Sequence, residues 1–153
     1  MNDIKIGNRI VGAKHPCLIC FEPSSTYTNI DEAKEMIKST ALSGADAIKF
    51  QTFLPGEADR MMGHKDILVN FTTSTGKKQE LVYDALKRKE LSKEEWKELV
   101  SYSKELDLAF ITAAYFPETI DFIAEIGVDA IKVSKGDVNN VLLVKWQKKI
   151  CQL

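Results

Sequence analysis

Four short apolar runs alternate with four helical stretches, and the segment Gly-x-Asp-Ala-Ile-Lys occurs twice, each copy carrying a strand into a lysine. These observations predict an α/β fold with a parallel sheet: the N-terminal half of a (β/α)8 TIM-type barrel, four βα units preceded by a small β-hairpin. Periodicity alone leaves a doubly wound sheet open as the other arrangement. At 153 residues the chain holds one domain, and no Pro/Gly/Ser-rich stretch divides it. A single partial-barrel domain follows, with residues 1–16 as hairpin and lead-in and 17–153 as the four units.

Each element has its own local reason. Residues 4–11 alternate around Gly7-Asn8, two residue types that accept the positive φ of a tight turn. The apolar run 17–21 reads as the first strand. Asn29 caps a helix with Ile30, Ala33, Ile37, Thr40 and Ala41 on one face, and Gly44 stops it. Residues 45–50 form a second buried strand, followed by a long polar loop over 52–79 and a short helical turn over 81–87. Ser92 with Glu95 makes a capping box for a helix reaching Leu106, and 108–113 is the third strand. Pro117 opens a helix that runs to Ile126 before Gly127, and 129–134 is the fourth strand. Asn139 or Asn140 then starts a last helix over 141–149.

Composition excludes several classes of function. Apolar residues make up 44% and charged residues 28%, with a formal net charge of -1, as in an ordered globular chain. A pI near 6.1 provides no basic field for nucleic acid or an anionic membrane. Nothing approaches the ~20 apolar residues of a membrane span. A small-molecule partner and a cytoplasmic location are expected. Cys17, Cys20 and Cys151 read as reduced core residues, the first two on opposite faces of a strand. A CxxC metal or redox site is the alternative, and it needs a turn there and a second ligand pair. With His15 and His64 the only histidines, two histidine ligands from strand ends are missing, and no metal site is read within the chain.

The chemistry is expected at the strand ends. Residues two apart on a strand share a face, so Ala47, Lys49 and Gln51 point one way, as do Ala130, Lys132 and Ser134. In a parallel barrel the C-terminal strand ends build the active site, where an inward lysine meets an anion or stays desolvated and unpaired. Two such lysines point to one shared phosphate or carboxylate. At an effective dielectric of about 20, unit charges about 4 Å apart attract by roughly 4 kcal/mol, against about 1 kcal/mol for a neutral hydrogen bond. Glu22, ending the first strand, faces the same mouth and either pairs a lysine or handles protons. A salt-bridged or solvated rim is the structural alternative. A second chemical reading makes Lys132 a Schiff-base nucleophile, although Ser134, Lys135 and Asp137 give it a polar setting better suited to anion capture. The lysine-rich stretch 87–97 alternates with acids and reads as a solvated helix face, with Trp96 and Trp146 as packing groups.

At these residues the chain resembles the sialic acid synthase family (N-acetylneuraminate synthase, NeuB-like), a (β/α)8 barrel followed by a small antifreeze-like domain. The resemblance rests on Ile6-Gly7-Asn8-Arg9, His15-Pro16 and the strand ending in Glu22, on Gly44 to Phe53 (Gly-Ala-Asp-Ala-Ile-Lys-Phe-Gln-Thr-Phe), and on Lys132 with Gly136, Asp137, Asn139 and Asn140. It implies condensation of phosphoenolpyruvate with an N-acetylated amino sugar such as N-acetylmannosamine, giving a nonulosonate, with a divalent metal, Mn or Mg, activating the sugar aldehyde. Lys49 and Lys132 would anchor phosphoenolpyruvate, Glu22 would be a catalytic carboxylate near the enol, and Gln51 and Asp137 would contact the sugar. Lys77, in the Thr75-Gly76-Lys77 loop, and Thr112 would join them. Two departures stand out: Pro23-Ser24-Ser25-Thr26-Tyr27-Thr28 replaces the family's Ile-Gly-x-Asn-His-Asn-Gly, and Lys135, preceded by Ser134, stands where a phosphate-cradling serine is usual.

A complete barrel needs ~250 residues, so the resemblance implies only the first half, with strands five to eight, the metal ligands and the antifreeze-like domain outside this chain. The expected state is a half-barrel inactive alone, which associates with itself or with a complementing C-terminal half through its open edges. The alternatives are a non-catalytic anion-binding subunit, or another phosphoenolpyruvate-condensing synthase that uses a phosphorylated aldose.

Overall fold

The computed structural model describes residues 3–23, 26–73 and 76–150. The chain opens with an antiparallel hairpin, β1 (Ile4–Ile6) and β2 (Arg9–Val11), turning at Gly7-Asn8. Then come β3 (Cys20–Phe21), α1 (Ile30–Leu42), β4 (Ala47–Gln51), α2 (Glu57–Met61), β5 (Leu68–Thr73), β6 (Gly76–Leu81), α3 (Val82–Lys87) and α4 (Lys93–Glu105). The last elements are β7 (Ala109–Ala113), α5 (Pro117–Glu125), β8 (Ala130–Ile131) and α6 (Val141–Ile150). Strands β3, β4, β7 and β8 form one parallel sheet in chain order, the wall of a partial barrel.

The helix boundaries follow the expected chemistry. The Asn29 side chain accepts from Glu32 N–H, Ser92 and Glu95 close a full capping box, and Pro117 sits in the first turn of α5. Gly44 and Gly127 take φ of +77° and +72°, which any residue with a Cβ resists.

The recurring Gly-x-Asp segment has a physical purpose. Asp46 N–H donates to the Ile19 carbonyl while its carboxylate accepts from Ile19 N–H, each at 2.9 Å. Asp129 repeats this two-bond clasp on Phe110, at 2.9 and 2.8 Å. Each aspartate therefore fixes the register of its own strand against the preceding one.

The helices cover one face of the sheet. Ile48, Phe50 and Phe110 point into them and are fully buried, packed with Ala33, Ile37, Trp96, Leu99, Ile120 and Ile123. The Phe50 and Phe110 rings stack at 5.5 Å, and Tyr27 and Trp96 meet Phe50 edge-on at 5.7 and 6.1 Å. The hairpin closes the opposite face at its N-terminal end: Gly7 lies so close to Ala109 that a Cβ there would come within 2.8 Å of the alanine's own. Arg9 reaches both Asp46 and Asp107.

Several expectations need correction. The span 52–79 is not an open loop: it carries α2 and a two-stranded ribbon, β5 with β6. The first and fourth strands are two residues long rather than five and six, because each lies at an edge with hydrogen-bonding neighbours on one side only. For the same reason Cys17 and Cys20 are exposed rather than core residues; Cys151 lies outside the described residues. Trp96 is buried with its indole N–H on the Phe53 carbonyl, whereas Trp146 is 40% exposed and donates to Asp121. Among the described residues no helix is long and apolar enough to cross a membrane.

Candidate functional site

Register decides which side chains share the face opposite the helices. Cys20 pairs with Ala47 and Ala47 with Ala109, Lys49 pairs with Ile111 and Ile111 with Ala130, and Gln51 pairs with Ala113. Continuing the rows, Glu22 falls beside Lys49, and Lys132 falls level with Gln51 and Ala113; the Lys132 N–H still donates to the Thr112 carbonyl at 2.8 Å. Lys49, Gln51, Glu22 and Lys132 thus occupy one face at the C-terminal ends of the strands. Two strand spacings, about 10 Å, separate the β4 and β8 backbones, a gap that two extended lysine side chains can close on one ligand.

The lysines differ in state. Lys49 is only 7% exposed and its ammonium is held by the Glu22 carboxylate, which is half open to solvent. Lys132 is exposed and, among the described residues, its ammonium makes no hydrogen bond or ion pair. Ser134 lies 3.4 Å from the Tyr115 hydroxyl, and the Tyr115 ring stacks on Phe53 at 5.2 Å. Burial raises the Tyr115 pKa, and the hydrogen bond with Ser134 opposes that rise. Lys135, Gly136 and Asp137 form one 3-10 turn, with Lys135 exposed at the rim.

Thr112 and Lys77 sit elsewhere. Thr112 points to the helix side and is fully buried, its hydroxyl 2.8 Å from that of Thr52 and bonded to the Phe50 carbonyl. Lys77 pairs with Thr72 on the exposed ribbon, and no described contact joins it to the mouth. Ser24, Ser25 and Thr75 lie outside the described residues.

Lys89 belongs to the site and was missed. It is 5% exposed, not part of a solvated face, and its ammonium donates to Gln51 Oε1 at 3.3 Å. The cause is long-range: Glu90 bridges to Phe53 and Leu91 N–H donates to the Phe53 carbonyl, so the segment after α3 runs beside β4. Period-two alternation with buried Leu91 was the available signal. Burial lowers the Lys89 pKa, and neighbouring Arg88 adds to this.

A groove of about 840 Å³ lies not over the lysines but along the open β3 edge beside α1, lined by Phe21, Glu22, Pro23, Met36 and Thr40 among others. A second groove lies between the segment leading into α5 and helix α6, against Tyr115, Leu142 and Trp146. Leu142 is 81% exposed and Phe21 51%. Among the described residues no three His, Cys, Asp or Glu side chains gather to hold a metal; His15 meets Asp3 instead.

A parallel strand array with basic and acidic side chains gathered at its C-terminal ends defines a protein of the (β/α)-barrel class, represented here by half of the barrel wall. The NeuB family model matches residues 36–151, and the chain belongs to the NeuB family. It is 36% identical over 146 residues to the N-acetylneuraminate-9-phosphate synthase of Mus musculus, covering 92% of this chain and 39% of that protein. It is 29% identical over 131 residues to the N,N'-diacetyllegionaminic acid synthase of Legionella pneumophila, covering 85% and 36%. The crystal structure of the N-acetylneuraminic acid (sialic acid) synthetase of Leptospira borgpetersenii superposes with a TM-score of 0.78 at 22% identity, covering 97% of this chain and 47% of that one. The chain spans less than two-fifths of the length of these two curated relatives.

Proposed function

We propose that this chain supplies the phosphoenolpyruvate-binding half of a sialic-acid-type synthase, which condenses phosphoenolpyruvate with an N-acetylated amino sugar to give a nonulosonate. The observation that carries the reading is the placement of Lys49 and Lys132 on one face at the C-terminal strand ends. It is supported by relatives named as synthases of nine-carbon acids of this kind.

In this reading Lys132 meets the incoming anion first, because among the described residues no side chain pairs with its ammonium. Lys49 shares its charge between Glu22 and the ligand, so an arriving phosphate or carboxylate loosens the ion pair and frees Glu22 to face the reacting enol. Ser134 and Lys135 donate around the phosphate, while Gln51 and Asp137 face the sugar. A divalent metal would act on the sugar aldehyde through ligands beyond those described here, as would the remaining wall of the mouth.

The two exposed edges favour a second reading, in which the chain binds anions as a subunit and turns nothing over alone. Phosphate release from phosphoenolpyruvate, N-acetylmannosamine and Mn²⁺ separates the readings when measured with and without the C-terminal half of a family member. Release that requires both halves and is lost in Lys132→Met supports the synthase. Calorimetry showing no phosphoenolpyruvate binding to the chain in either setting overturns it.

A further inference from the structure

An ammonium can only donate hydrogen bonds, whereas a primary amide donates at one end and accepts at the other. Lys89 donates to Gln51 Oε1 at 3.3 Å, so chemistry as well as geometry dictates which end of that amide faces it. The Lys89 backbone is held firmly: its carbonyl accepts from the buried Tyr27 hydroxyl at 3.3 Å, and Leu91 N–H donates to the Phe53 carbonyl at 3.1 Å. Its side chain is 5% exposed, with the ammonium 5.7 Å from the Phe53 ring centroid. A leucine or methionine would fill this space without desolvating a charge, so packing does not account for a lysine here. The far end of the amide has no such tie. Gln51 is half-buried on the sheet face it shares with Lys49. Among the described residues its Nε2 makes no hydrogen bond, and it is not sealed from solvent, since Gln147 alone carries buried side-chain N or O atoms without a partner.

We infer that Lys89 is a positioning residue, which holds the Gln51 amide with its N–H pair toward the strand-end mouth, so that Gln51 recognises a lone-pair-bearing oxygen of the sugar substrate and disfavours a donor there. The sugar enters through the synthase reading, in which Gln51 faces it; the pinned amide does not depend on that reading. An untethered glutamine offers either end, whereas one charge-assisted bond biases the orientation by about tenfold or more. The tether is also sensitive to alkali. Burial lowers the Lys89 pKa, Arg88 lowers it further, and Glu80, which Arg88 bridges from the ribbon, opposes them. Lys89 therefore loses its proton before an exposed lysine does, and the uncharged amine holds the amide less strongly.

Carbon-detected NMR on the 153-residue chain tests this through the Gln51 side-chain carbonyl carbon. In the parent its shift should titrate with a midpoint below that of the exposed lysines. In Lys89→Met that titration should vanish. In Lys89→Arg, whose guanidinium also only donates and stays charged, the shift should remain at the parent's neutral-pH value throughout. N-acetylmannosamine, added at neutral pH, should move the Gln51 side-chain N–H resonances in the parent and in Lys89→Arg, and should bind about tenfold more weakly to Lys89→Met, the scale of the lost orientation. That loss should fall on the sugar rather than on phosphoenolpyruvate. Lys89→Met replaces a desolvated charge by an apolar group, so its melting temperature should equal or exceed that of the parent, which guards against misfolding as the cause. A Gln51 carbon shift indifferent to the Lys89 proton, no N-acetylmannosamine effect at Gln51 in the parent, or equal sugar affinity in Lys89→Met overturns the inference and leaves phosphoenolpyruvate capture by Lys49 and Lys132 intact. Failure of the parent to bind phosphoenolpyruvate overturns the synthase reading and the sugar assignment with it.

Discussion

Removing either member of the Glu22–Lys49 pair should have unequal consequences. The Lys49 side chain is 8% exposed and that of Glu22 41%. In Glu22→Gln the ammonium stays buried with a weaker, neutral acceptor. In Lys49→Met an apolar stem fills the same space, and the remaining carboxylate turns to water. Breaking a fully buried pair costs roughly 3–5 kcal/mol. Here one partner is half hydrated and Gln retains a carbonyl, so the expected loss for Glu22→Gln is about 1–2 kcal/mol. For Lys49→Met it is under about 0.5 kcal/mol. With a urea dependence of about 2 kcal/mol/M, the first variant should unfold at a midpoint about 0.5–1 M lower and the second near the parent value. Phosphoenolpyruvate should restore much of the Glu22→Gln midpoint, by replacing the lost negative charge, and none of that for Lys49→Met. Equal midpoints for the two variants, or no recovery with ligand, would refute the argument that Lys49 needs a counter-ion at this position.

Two further outcomes are expected. The Ile19 N–H and Arg9 hold the Asp46 carboxyl below its ordinary range. Its stabilising contribution is therefore complete above the ordinary aspartate pKa and lost as pH falls through the lowered one. Asp46→Asn should cost about 1 kcal/mol at neutral pH, with the gap to the parent closing in acid urea titrations; a gap independent of pH would contradict the clasp. The open β3 and β8 edges, with Phe21 and Leu142 exposed, should make the light-scattering mass rise with concentration, and Leu142→Glu should lower it; a concentrated monomer would contradict this.

Much of the architecture was readable because it is decided locally. Asn29, the Ser92–Glu95 box, Pro117 and the glycines after α1 and α5 act on their own turns, and the structure keeps each in that role. The β5–β6 ribbon escaped because it has no apolar side to bury: Leu68 and Val69 stay exposed, and β6 is largely polar. Strand lengths at the edges depend on neighbours that a linear reading does not weigh. Lys49 and Lys132 could be placed on one face from alternation and the repeated segment, as could Glu22 beside Lys49. Lys89 could not, since a bridge between residues 53 and 90 puts it there. Thr112 lies one residue away from the inward face, and in a strand a single step reverses direction.

The aspartate clasps on Ile19 and Phe110 bind β4 and β8 each to the strand before it. Alignment along the wall is consequently settled two strands at a time, with no vote from a distant closing strand. A sheet laid in such self-registering courses tolerates being cut, lengthened or recombined between units.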